Sequence, residues 1–164
     1  MPGHILQVNV SRGGIPKRPV EQGLLTAAGI EGDACRNPRY HGGPLQAVLL
    51  ISSEVIDQLA ARGFPVFPGA LGENLTTVGL DYRDLRVGQQ LSIGEALIEL
   101  TKMRVPCSTL DVYGRGIQKA IYDKAVKAGD TTSPVWGRSG FYARVLQGGW
   151  IAPGASIEIA RTAA

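Results

Sequence analysis

The residues best suited to chemistry centre on Cys107, in the run Arg104-Val105-Pro106-Cys107-Ser108-Thr109. A thiol serves as nucleophile or metal ligand in its thiolate form, and the nearby cations of Lys102 and Arg104 favour that form. Pro106 fixes φ and lacks a backbone donor, so it stops a preceding strand and presents the next side chain in a defined direction. The competing reading is an inert buried thiol, because free cysteine is among the most buried residue types. Cys35, in Asp33-Ala34-Cys35-Arg36-Asn37-Pro38, has an acidic neighbour and a polar loop setting, and reads as a thiol without a role. The two cysteines lack a CxxC spacing, and two histidines are too few to complete an evident zinc site.

Other polar groups stand beside glycine or proline. His41-Gly42-Gly43-Pro44 precedes the apolar run Gln46 to Ile51, which places the imidazole at a strand mouth. There it can donate to an anion, orient a ligand or shuttle a proton, or simply face solvent. In Gly69-Ala70-Leu71-Gly72-Glu73-Asn74-Leu75-Thr76, Asn74 offers paired donor and acceptor groups to a heterocycle, although turn-making is the ordinary work of Asn beside Gly. Tyr142 and Arg144 occupy alternate positions of one expected strand and so face the same side. A phenol beside a rigid fork of donors suits a phosphate or a polar ring, with a salt-bridged strand Arg as the bland alternative. Lys17 and Arg18, after Gly13-Gly14-Ile15-Pro16, add anion contacts from the first loop. His4, near the start, reads as a surface residue.

The elements that must position these groups are short. Glycine accounts for 22 of 164 residues, nearly twice its usual share of about 7%, and proline for 10. With 44% apolar residues this describes a folded, turn-rich chain of a length that suits one domain, residues 1–164. The alternation Ile5, Leu6, Val8, Val10 predicts a strand ending at Ser11-Arg12-Gly13-Gly14, and Val20 to Ala27 a second. Gln46 to Ile51 reads as a strand buried on both faces. Ser52 or Ser53 then caps a helix carrying Val55, Ile56, Leu59 and Ala60 on one face, ended by Gly63. A short strand is expected around Asn74 to Val78 and a hairpin over Leu85 to Thr101, turning at Gly94-Glu95. A second helix is expected from Ile117 to Lys127. Strands Phe141 to Leu146 and Ser156 to Ala160 follow, separated by a turn at Gly148-Gly149. The fold class is therefore α+β and β-rich, a closed or partly closed barrel with about two short helices.

Several classes are excluded. The apolar run 47–51 is far shorter than the roughly 18 residues needed to span a bilayer, so no membrane association is expected. A net charge of +3 forms no basic tract, so no nucleic acid partner is expected, though an anionic ligand is favoured. Neither GxGxxG nor GxxxxGK[ST] occurs, and the pattern lacks regular βαβ alternation. No basic-then-apolar leader is visible and the cysteines are too few for a disulfide framework, so a reducing cytoplasm is the expected setting.

Taken together, the segments Gly29-Ile30-Glu31-Gly32-Asp33, His41-Gly42-Gly43 with Gln46-Ala47-Val48, Gly72-Glu73-Asn74-Leu75, Arg104-Val105-Pro106-Cys107, and Tyr142-Ala143-Arg144-Val145 with Gly148-Gly149 resemble the MOSC domain family, named for the C-terminal domain of molybdenum-cofactor sulfurases. The resemblance runs from about Ile5 to Ile159. It implies a barrel-like β domain that binds the molybdenum cofactor (molybdopterin) or handles sulfur. It further implies that Cys107 is a thiolate ligand of molybdenum, or carries a persulfide. Lys17, His41, Asn74, Arg104, Ser108, Thr109, Tyr142 and Arg144 are then expected around the pterin and its phosphate. A soft thiolate suits molybdenum, and a phosphate needs Lys, Arg and backbone donors.

The leading expectation is an oxidoreductase that reduces small N-hydroxylated compounds with electrons from a separate protein. The alternatives are a persulfide sulfur carrier fed by a cysteine desulfurase, and a noncatalytic carrier of the cofactor. Gly154-Ala155 stands where the family often has Gly-Asp, so any role of that carboxylate is absent or moved. No C-terminal extension or fused desulfurase or ferredoxin domain is visible, so electrons or sulfur are expected from separate proteins.

Overall fold

The structure is a computed structural model and describes residues 3–34 and 42–161. Strands are β1 (Gly3–Val10), β2 (Arg18–Val20), β3 (Gly23–Thr26), β4 (Gly29–Ile30), β5 (Val48–Ser52), β6 (Leu75–Val78), β7 (Gln90–Ile93), β8 (Ala96–Met103), β9 (Phe141–Gln147), β10 (Gly149–Ile151) and β11 (Ser156–Arg161). Helices are α1 (Ser53–Ala61), α2 (Ile117–Ile121) and α3 (Lys124–Lys127), with 3-10 turns at Pro44–Gln46, Tyr82–Asp84 and Ser108–Tyr113. Among the described residues no helix is long and apolar enough to cross a membrane.

Seven strands pair in the order β11-β7-β8-β9-β5-β6-β1, and β1 pairs back onto β11 to close a barrel. Strand β2 extends β1, and β10-β3-β4 form a separate small sheet. All the barrel pairs are antiparallel except β5 with β6, which are joined by α1 as a crossover. Closure removes the exposed sheet edges that an open sheet must otherwise protect.

Strand alternation explains the core. Val48 and Leu50 of β5, Ile98 and Leu100 of β8, and Phe141 and Ala143 of β9 are buried with Ile5, Leu75, Leu91, Ile93 and Ile157 in one apolar cluster. The intervening Leu49, Ile51 and Tyr142 join a second cluster with Val55, Ile56 and Leu59 of α1 and with Leu71, Leu110, Ile117 and Ile121. Strand β5 is thus buried on both faces because the barrel core lies on one side and α1 and α2 on the other.

Three expected elements differ in detail. The expected strand Val20 to Ala27 is two strands in two sheets, bending at the exposed Glu21-Gln22, because Val20 pairs with Val8 whereas Leu25 pairs with Ile30 and Gly149. The expected helix Ile117 to Lys127 is two helices, broken where Tyr122 is extended. Asp123 caps α3, its Oδ1 accepting from Val126 N at 2.8 Å, because a short acceptor competes with helix continuation. Gly149 is not a simple turn residue, for it opens β10 against β3. Ser52 is the cap of α1, accepting from Glu54 N at 3.2 Å, and Ala60 is exposed rather than packed.

Candidate functional site

A cavity of about 550 Å³ lies against the outer face of β5 and β9, where Leu49 and Tyr142 point. Its remaining walls come from loops, including Ile15, Lys17, Asp33, Gln46, Leu71, Asn74, Arg104, Cys107 and Thr109. The antiparallel pairing of β8 with β9 ends at Met103 opposite Phe141, which delivers the 104–110 segment to the cavity wall.

Cys107 is half-buried, unpaired with another cysteine, and opens the 3-10 turn Ser108–Tyr113, with Leu110 N donating to Cys107 O at 3.1 Å. Arg104 stays only 6% exposed. Its main chain is fixed by Arg104 N donating to Gly140 O at 2.9 Å, while Nη2 donates to Leu71 O at 2.8 Å. Gly140, with φ +92°, leaves no room for a Cβ against Leu50 O, so the strand junction that holds Arg104 depends on glycine there. Among the described residues Arg104 Nη1 is buried without an acceptor. Burial pulls the guanidinium below its usual range, opposed by Tyr142, Cys107 and Glu73.

Asp33 is the hub of the opposite wall. Its carboxylate accepts from Ser11 N at 2.9 Å, Lys17 Nζ at 2.7 Å and Asn74 Nδ2 at 2.8 Å. Lys17 is therefore ion-paired rather than free. Asn74 is also fully engaged, since its Oδ1 accepts from Leu49 N at 3.1 Å and Nδ2 also donates to Asn9 O at 3.2 Å. Its amide braces the loop against β5. Glu73 is wholly buried, with Oε2 accepting from Gly69 N and Thr76 Oγ1 while Oε1 has no donor.

The structure thus brings Lys17, Asn74, Arg104, Cys107, Thr109 and Tyr142 to one cavity. Tyr142 also carries Lys102 Nζ 5.9 Å above its ring, so that lysine is directed to the phenol. Ser108 is exposed and lies outside the cavity lining. Arg144 likewise lies outside it. It shares the outer face with Tyr142 but stands opposite Glu99 in the strand register and pairs with that carboxylate at 3.0 Å. The structure therefore favours the salt-bridged alternative for Arg144. His41 and Cys35 fall outside the described residues. Asp33 and Gln46 are cavity residues that their residue types did not single out. The turn Gly29-Ile30-Glu31-Gly32-Asp33 was the available signal for the first, and the segment Gln46-Ala47-Val48 for the second.

The MOSC domain family model matches residues 37–158. The chain belongs to the MOSC domain family. Protein YflK of Bacillus subtilis is 31% identical over 150 residues, covering 89% of this chain and 62% of that protein. Protein YiiM of Escherichia coli is 38% identical over 96 residues, covering 55% of this chain and 42% of that protein. The MOSC chain thus spans less than two thirds of either relative. Among solved structures, YiiM from Geobacillus stearothermophilus superposes with a TM-score of 0.72 at 29% identity, covering 98% of this chain and 76% of that one. YiiM from Escherichia coli gives 0.67 at 25% identity, covering 99% and 70%. The β-rich α+β barrel is thus the MOSC architecture.

Among the described residues no three His, Cys, Asp or Glu side chains converge on a metal position. A metal in this MOSC cavity would take one protein thiolate, with its other ligands brought by a cofactor. The residues fit such a group. An orphaned, buried guanidinium nitrogen calls for an anionic acceptor, the half-buried thiol shares its cavity, and the volume falls in the range of about 300–1,000 Å³ common for ligand pockets.

Proposed function

We propose that this MOSC domain binds the molybdenum cofactor in the Cys107 cavity, with Cys107 Sγ as a ligand of the metal, and reduces small N-hydroxylated compounds in the cytoplasm using electrons from a separate protein. The observation that carries the reading is the unpartnered Arg104 Nη1 in the same cavity as the half-buried Cys107. Arg104 supplies a donor for the cofactor phosphate from a site where burial strengthens the attraction. Lys17, held by Asp33, sets the loop that forms the facing wall, and Asn74 fixes that wall to β5. Tyr142 and Leu49 form an apolar floor for a ring system. The bound cofactor would supply a redox-active molybdenum centre for removal of oxygen from the substrate.

The test is expression with an active cofactor pathway, followed by molybdenum and pterin analysis of wild type and Cys107→Ala. One molybdenum per chain, lost in the variant, together with reduction of an N-hydroxylated compound by a supplied electron donor, is the expected result. Cyanide-labile sulfur on Cys107 without molybdenum would overturn it in favour of a persulfide carrier. Bound molybdenum without reductase activity would favour a carrier of the cofactor.

A further inference from the structure

A second orphaned polar atom, of opposite need to Arg104 Nη1, belongs to a residue that lines the cavity. Among the described residues Gln46 Oε1 is buried with no donor, and Gln46 lines the cavity. Its main chain is held, with Gln46 N donating to Gly43 O at 3.0 Å to close the turn Pro44–Gln46. A buried acceptor left unpaired is destabilising, a cost that a ligand donor removes. The other carboxamide in the cavity cannot take this part, because Asn74 Oδ1 is occupied by Leu49 N and both donors of its Nδ2 by Asn9 O and Asp33 Oδ2.

We propose that Gln46 reads the ring of the bound molecule, Oε1 accepting from a ring N–H or amino group while Arg104 Nη1 holds the anionic part of the same molecule. The cavity thereby selects an anion that carries a hydrogen-bonding heterocycle over a simple phosphate ester. This rests on the reading that the site takes molybdopterin, whose aminopyrimidine ring carries such donors. Gln46 is a specificity-determining residue, and it has no part in the reaction itself.

Gln46→Leu and Gln46→Met remove the acceptor at similar volume. Each metal-free variant should melt no lower than wild type, because an unpaired acceptor has been removed from a buried position. Each variant purified from cofactor-producing cells should nevertheless retain at least fivefold less pterin after dialysis, measured as its oxidised fluorescent product. Wild-type pterin retention in both variants would overturn the role of Gln46 while leaving the cofactor reading intact. Variants that lose pterin only in proportion to a lowered melting temperature would assign Gln46 a structural role and also overturn it. A wild-type protein that retains no pterin would overturn both.

Discussion

Glu73 and Arg104 are buried ionisable groups that share a neighbourhood, and among the described residues each is under-satisfied at one atom. Desolvation raises the Glu73 carboxyl above its ordinary value of 4.5, against the hydrogen bonds from Gly69 N and Thr76 Oγ1 and the field of Arg104. The folded chain therefore holds that proton more tightly than the unfolded chain. Stability from this group is fully present below about pH 4.5 and declines as pH rises through the raised value. Glu73→Gln should flatten the decline, so its melting temperature should fall less between pH 5 and 8 than that of wild type. An equal fall in both would show that Glu73 is ionised throughout. Arg104→Met should keep the barrel, because the side chain donates only to Leu71 O among the described residues, while the main-chain bonds to Gly140 O and from Ser139 Oγ are unaffected. It should lower pterin retention at least tenfold, the loss of a charge-assisted contact worth about 1.5–3 kcal/mol. Unchanged retention by dialysis and fluorescence would remove Arg104 from the anion site.

At the scale of elements, the cavity depends on loops tied to strand ends. Gly69 lies at φ +95°, and a Cβ there would collide with Lys17 O, while Lys17 N donates to Gly69 O at 2.9 Å. Gly69→Ala should therefore displace the loop bearing Lys17 and destabilise by more than about 1 kcal/mol, read as a lowered urea midpoint and a slower on-rate for the cofactor. Helix α1 is secured at its start by Ser52. Ser52→Ala should cost about 1 kcal/mol with pterin retention unchanged, because Ser52 is not among the residues lining the cavity. Most elements were legible from period and punctuation: the alternation of β1, the apolar run of β5 and the hairpin β7-β8. Strands β2 and β3 read as one run from Val20 to Ala27, although the polar pair Glu21-Gln22 before Gly23 interrupts the apolar residues where the chain changes sheet.

At the scale of the molecule, the barrel closes through a narrow seam in which, among the described residues, Gly3 pairs with Ile157 and His4 with Ser156 between β1 and β11, continued by Ile5 N donating to Ala155 O at 2.9 Å. Ile157 is 2% exposed and also stands opposite Ile93. Ile157→Ala should cost about 2–5 kcal/mol by urea denaturation, with faster amide exchange in β1 and β11 than in β8 and β9. A cost below 1 kcal/mol would mean that the seam contributes little to closure. Residue types and local order alone determined the β-rich class, the MOSC resemblance and the selection of Cys107 with its basic flank, because turn glycines, alternation and a Pro-Cys dipeptide act over a few residues. Tertiary structure decided which of the candidate side chains meet. It placed Arg144 on Glu99, engaged Lys17 and Asn74 with Asp33, buried Arg104 with one free donor, and brought Gln46 from the β5 approach to the same cavity. Partners separated by 41 or 45 residues, as for Asn74 with Asp33 and Arg144 with Glu99, are set by strand register and barrel closure, which no local pattern encodes.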